Sequence, residues 1–191
     1  IQAFVEQTSI PQPMLGILQA PPNTALWTRL QKEHRLMEGD RIHPTGDQNT
    51  LMNFIPTRPI SEIAREYVES FWKLYEPPNY LRRCLQQCLN IGSREGGKQT
   101  MLFPLGKGLR LVARVIWLQG IKRPEIRQQF WQQLWTILRK KPQALNMYLG
   151  LCAAGEHFWE YRVLARERIT EQLGYDPMKV FPLPERELMR A

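Results

Sequence analysis

The stretch QPMLGILQAPPNTALWTRLQ, residues 12–31, decides how the chain is read. A short apolar run from Met14 to Leu18 meets two prolines, Pro21 and Pro22. An amphipathic pattern then opens at Asn23 or Thr24. Strand, tight turn and helix in that order make one βα unit. A parallel strand reaches its neighbours only through long crossover connections. Nothing else in the sequence reads as a strand, so this unit stands alone at the head of a mainly helical chain.

Working outward, Ile1 to Gln7 resembles the end of a helix, stopped by Ser9 and Pro11. The spacing of Leu26, Trp27, Leu30, His34 and Met37 predicts a helix over 24–38 with one buried face, capped by Asn23 or Thr24 and ended by Gly39. Residues 39–60 are turn-rich and read as an ordered linker, because Leu51, Met52, Phe54 and Ile55 are too apolar to be left in water. Ser61 opens a helix carrying Ile63, Tyr67, Phe71 and Leu74. Pro77 and Pro78 should break it, with Asn79 capping the next. Gly92, Gly96 and Gly97 mark a basic loop. Helices follow at 105–121, 124–140 and 143–172, each reset by proline, with Pro124 and Pro142 suited to a first helical turn. After Gly174 the tail is proline-rich. The expected division is 1–38, 39–60, 61–172 and 173–191.

The 191 residues are 43% hydrophobic, with six Trp and six Tyr, enough for a real core and too much for a disordered chain. A formal charge of +8 suits an anionic partner, although no block of five like charges occurs. Cys84, Cys88 and Cys152 give no disulfide framework, which favours a reducing cytoplasm. No apolar run is long enough to cross a bilayer, and residues 1–20 lack the order of a signal peptide. Ile1 in place of an initiator Met points to an excised piece.

Few residues carry chemistry. Cys84 and Cys88 share a helix face, but a zinc site needs three or four ligands, and the flanking Leu85 and Leu89 favour buried thiols. Glu156, His157 and Glu160 have bundle-metal spacing without matching carboxylates elsewhere. Lys107, Arg110 and Arg114 line one edge of an apolar helix and could clamp an anion. Nucleic-acid binding would need exposed aromatics among such charges. Trp117, Phe130, Trp131 and Trp135 sit at core spacing, so no nucleic-acid partner is expected. No Ser-His-Asp elbow, phosphate loop or glycine fingerprint is present.

Residues 10–37 resemble the last strand–loop–helix of the barrel in cobalamin-binding radical S-adenosylmethionine (SAM) proteins. That family's signature is leucine-x-alanine-x-proline-glycine-threonine-x-leucine, followed by a helix ending in glutamate-glycine-arginine-leucine. Leu18, Ala20, Pro22, Thr24 and Leu26 match, with Asn23 and His34 standing where glycine is usual. GDQNTLMNFIPTRP (46–59) and YVESFWKLYEPPNYLRRC (67–84) look like the segments that follow. The resemblance covers residues 1–84, and the family includes hopanoid methylases and an anaerobic magnesium-protoporphyrin monomethyl ester cyclase.

The resemblance implies a mainly α fold: a multi-helix C-terminal domain preceded by a single βα remnant of a radical SAM barrel. It implies the C-terminal region of a cobalamin-dependent enzyme of methyltransferase or cyclase type, whose helices cover the substrate side. By analogy Gln19, Ala20 and Asn23 lie near SAM and Asn53 and Phe54 near the substrate, while the basic helix edge of Lys107, Arg110 and Arg114 would meet an anionic substrate group. No metal ligand or catalytic residue is expected here. Cys84 and Cys88 copy only the first spacing of the C-x3-C-x2-C cluster loop, and Ile91 and Gly92 fill the region of the third cysteine. The whole protein would use a 4Fe-4S cluster, SAM and cobalamin, bound by upstream barrel and cobalamin domains. Its substrate would be a tetrapyrrole or lipid, and its location the cytoplasm or a membrane reached through a lipidic substrate. The orphan strand could also pair with a second copy. The rival reading is a stand-alone basic helical module that binds a protein or an anion.

Overall fold

A computed structural model describes residues 2–37, 50–90 and 105–179, with side chains from residue 110 onward in the last stretch. The chain is mainly helical: α1 (Gln2–Thr8), α2 (Ala25–Lys32), α3 (Ile60–Leu74), α4 (Pro77–Asn90), α5 (Leu105–Trp117), a π-helical turn (Leu118–Lys122), α6 (Pro124–Lys140), a 3-10 turn (Pro142–Ala144) and α7 (Leu145–Leu173). Pro124 opens α6, where its missing N–H costs no bond, and Arg139 and Lys140 in the last turn complement the helix dipole. Gly174, at φ +77°, ends α7 by donating to the Thr170 carbonyl. Among the described residues no helix is long and apolar enough to cross a membrane.

Two compact units are interleaved along the chain: Ile1–Pro13 with Lys73–Glu160, and Met14–Trp72 with Tyr161–Ala191. In the first, α4 and α6 pack together. Its core holds Tyr80, Leu81 and Cys84 of α4, Ile126, Phe130 and Ile137 of α6, and Tyr148, Cys152 and Trp159 of α7. Arg83 is also fully buried. Its guanidinium donates to the Ile10 carbonyl (3.1 Å), the Glu6 carboxylate (3.0 Å) and the Leu74 carbonyl, tying the lead and the end of α3 to the middle of α4. Burial of Glu6 opposes its charge, but Arg82 and Arg83 outweigh it and hold its carboxyl below the ordinary range.

In the second unit Ala20, Leu30, Met52 and Phe54 form a small core, joined by Ile17, Leu26, Trp27, Leu36 and Ile63. The Thr24 hydroxyl caps α2 by accepting the Trp27 N–H at 3.2 Å. Elsewhere in the unit, Trp72 lies under the guanidinium groups of Arg162 and Arg166 (4.4 and 5.5 Å to the ring centre). Arg166 also pairs with Asp176.

Three expectations change. The helix placed at 24–38 ends at Lys32. His34 takes φ +52°, and the chain turns back so that Leu36 bridges Phe54. His34 is therefore exposed rather than part of a buried face. The run read as a strand, Met14 to Leu18, has no ladder, and no strand occurs among the described residues. Pro77 and Pro78 do part α3 from the next helix, but from within the first turn of α4, so Asn79 lies inside that helix, donating to the Glu76 carboxylate, and is not its cap. The basic loop of Gly92, Gly96 and Gly97 lies outside the described residues.

Candidate functional site

The apolar run still shows its alternation. Met14, Gly16 and Leu18 are exposed, Leu15, Ile17 and Gln19 are half-buried, and Ala20 is buried, which is the period of an extended segment. Among the described residues no hydrogen bond reaches the backbone of Met14–Leu18. At its downstream end the run is clamped. The buried Asn53 amide donates to the Ala20 carbonyl and accepts the Ala20 N–H, both at 2.9 Å, as a neighbouring strand would. The Gln19 amide donates to the Leu51 carbonyl at 2.7 Å, with Thr50 oxygens at 3.3 and 3.4 Å. Gln172 of α7 accepts the Leu51 N–H at 2.7 Å.

Four residues singled out from the sequence, Gln19, Ala20, Asn53 and Phe54, thus meet in one place. Asn23 stands at the surface beside them, at φ +64°. Asn23 and His34 are the two positions where the resembling family has glycine, and both take the left-handed conformation that glycine adopts without strain. Arg110 and Arg114 belong to the other unit, exposed on α5 and without an ion pair among the described residues. The side chain of Lys107 lies outside the described residues.

Cys152, remote in sequence, is within electrostatic reach of Cys84 and Cys88. Burial pushes the Cys84 thiol up to about 12 and Cys88 up to about 11, and Cys152 rises as well. An iron–sulfur cluster needs thiolates, and no group of three His, Cys, Asp or Glu among the described residues is placed to hold a metal. These thiols do not fit such a cluster. The backbone N–H and C=O of Ala20 are both bonded to the Asn53 side chain.

Glu156 is an ion-pair partner, bonded to Arg123 at 2.7 Å and to the buried Gln119 at 3.2 Å. The Trp159 ring lies 4.7 Å under the Arg123 guanidinium. Sequence reasoning missed this cluster at the π turn, whose one signal is the Gly120 that the Trp131 ring covers. It also misplaced three tryptophans. Phe130 is buried, but Trp117, Trp131 and Trp135 are 52%, 44% and 57% exposed.

These features define a mainly α-helical domain led by an unpaired apolar segment. The chain belongs to the family described as a domain of unknown function, DUF4070, whose model matches residues 24–171. It is 47% identical over 173 residues, 91% of this chain, to an uncharacterized methyltransferase of Synechocystis sp.. It is 26% identical over 142 residues, 69% of this chain, to a hopanoid C-2 methylase of Rhodopseudomonas palustris. The chain spans about a third of the first relative's length (32%) and about a quarter of the second's (24%). No solved structure matches.

Proposed function

We propose that this chain is the helical C-terminal region of a cobalamin-dependent radical SAM enzyme of methylase type, acting on a small apolar molecule of lipid or tetrapyrrole class. One observation carries the reading. Met14–Leu18 alternates like a strand in its side-chain exposure and has no bonded backbone partner among the described residues, while Asn53 and Gln19 bond where it ends and the turn to α2 begins. Bare polar backbone along an apolar segment is costly unless a neighbour pairs with it. The last strand of a barrel is such a segment. The names of the two relatives, both methyl-transferring proteins, support the same reading.

In this reading Gln19, Ala20 and Asn53 position the turn that leads from the strand to α2. The 4Fe-4S cluster, SAM and cobalamin would be held by other parts of the whole enzyme, not by Cys84, Cys88 and Cys152. Hydrogen exchange tests the proposal on the whole enzyme and on the 191-residue chain. The amides of Leu15–Leu18 should be protected in the first and exchange freely in the second. Free exchange in both would remove the barrel strand. A whole enzyme that transferred no methyl group from SAM under reducing conditions would remove the methylase.

A further inference from the structure

The exposed tryptophans lie on α5 and α6, with the π turn between these helices, all within the first unit. Arg110, Arg114, Trp117 and Ile121 recur every three or four residues and form one exposed line, with Trp117 52% and Ile121 49% exposed. On α6, Trp131, Trp135 and Leu138 form a second, at 44%, 57% and 42%, on the side away from the fully buried Ile126, Phe130 and Ile137. The lines adjoin. The Trp131 indole N–H donates to the Gly120 carbonyl at 2.9 Å, and its ring lies so close that a Cβ on Gly120 would meet it at 3.0 Å. Ile121 is the next residue.

Cations border the apolar strip. Arg110, Arg114, Lys122, Arg127, Arg139 and Lys140 are exposed, and the Arg139 guanidinium lies 4.5 Å over the Trp135 ring. The nearby acid Glu125 is paired with Arg123. Single exposed apolar residues are ordinary, but a contiguous strip of five large ones marks a contact surface.

We infer that this face docks on an anionic phospholipid bilayer. Tryptophan suits the boundary between headgroups and acyl chains, Ile121 and Leu138 can enter the apolar side, and the bordering cations meet lipid phosphates. Charge decides against a second copy, since a twofold contact through this face brings cations against cations. Chemistry decides against a single-stranded nucleic acid, because Ile121 and Leu138 offer no ring for a base to stack on. The inference does not rest on the methylase reading.

The 191-residue chain is mixed with vesicles of phosphatidylcholine, with and without phosphatidylglycerol, then sedimented. It should sediment with the anionic vesicles alone, with tryptophan emission shifting to the blue. Trp117→Gln with Trp135→Gln should abolish sedimentation. Arg110→Gln and Arg114→Gln should each weaken it about fivefold. Met14→Gln, at another exposed apolar position, should leave it unchanged. The altered side chains are exposed, so circular dichroism should match the parent; if the double tryptophan variant misfolds, Leu138→Gln replaces it. Failure to bind anionic vesicles, or binding indifferent to the tryptophan changes, overturns the inference. Binding to oligodeoxythymidine lost in the same variants would reassign the face to nucleic acid, and dimerisation abolished by Trp135→Gln would reassign it to a second copy.

Discussion

Around Tyr80 and Cys152 in the first unit, side chains meet side chains; around Ala20 in the second, side chains meet the main chain. Tyr75 stacks on Phe158 with ring centres 4.5 Å apart, Tyr80 meets Trp159 edge-on at 6.1 Å, and the thiols of Cys84 and Cys152 are sealed among them. There the order comes from area buried and shape. The second unit also packs Tyr67, Val68, Phe71 and Ile169 into a core, but its irregular segments around Ala20 are held by the side-chain amides of Asn53, Gln19 and Gln172 bonding to the main chain. Helices satisfy their own backbone, so packing is enough for them. A segment without a partner strand must borrow amides from elsewhere.

If packing rules the first unit, the buried charge of Arg83 is its weak point. Arg83→Met keeps the volume but leaves the Ile10 and Leu74 carbonyls without a donor. It should cost about 3 kcal/mol or more in chemical denaturation. A loss under about 1 kcal/mol would mean the aromatic core holds the lead unaided. In the second unit, Asn53→Ala strips both bonds from Ala20 and should cost about 2–4 kcal/mol, with fast exchange of the Ala20 amide. Exchange as slow as in the parent would show that the clamp is dispensable.

Alkaline titration separates the units by another route. Burial holds the Cys84 and Tyr75 protons up to about 12 and that of Cys88 up to about 11, against ordinary values of 9.0 for the thiols and 10.0 for the phenol. The unfolded chain releases these protons first. Their stabilising effect is therefore complete below pH about 9 and lost as pH climbs toward about 12. The urea midpoint should fall across that window, less steeply in Cys84→Ala, and an unchanged midpoint would contradict the sealed core. The smallest effect belongs to the turn after α2. His34→Gly should raise stability by about 0.5–1 kcal/mol by relieving the left-handed conformation, while Asn23→Gly, where asparagine already tolerates it, should change little. A destabilised His34→Gly would show that the imidazole makes a contact of its own.

Much of the first unit was legible. Proline resets and apolar spacing placed the helices at 105–121, 124–140 and 143–172 within a few residues, and the thiols read as buried. Periodicity could not say which stripe of a helix faces inward. Trp131, Trp135 and Leu138 are spaced as regularly as Ile126, Phe130 and Ile137, and only packing chose between them. His34 has the right spacing from Leu30 for a shared face, but the chain has left the helix before reaching it. Gln19, Ala20 and Asn53 were found through resemblance. Their bonds join residues more than thirty positions apart, and no local pattern encodes such a contact. Arg83 gave no signal, being one arginine in an ordinary pair.

The interleaving of the units has a consequence for synthesis. Leu51 and Gln172 are separated by 121 positions, so at ordinary translation rates roughly 6–24 s pass between their appearances. Met14–Trp72 must wait that long for its closing helix, with Met14 and Leu18 bare to solvent or to a chaperone. The Ala20–Asn53 clamp closes over only 33 positions, so the turn before α2 is expected to be set early, on the ribosome, and the rest of the second unit to be finished last.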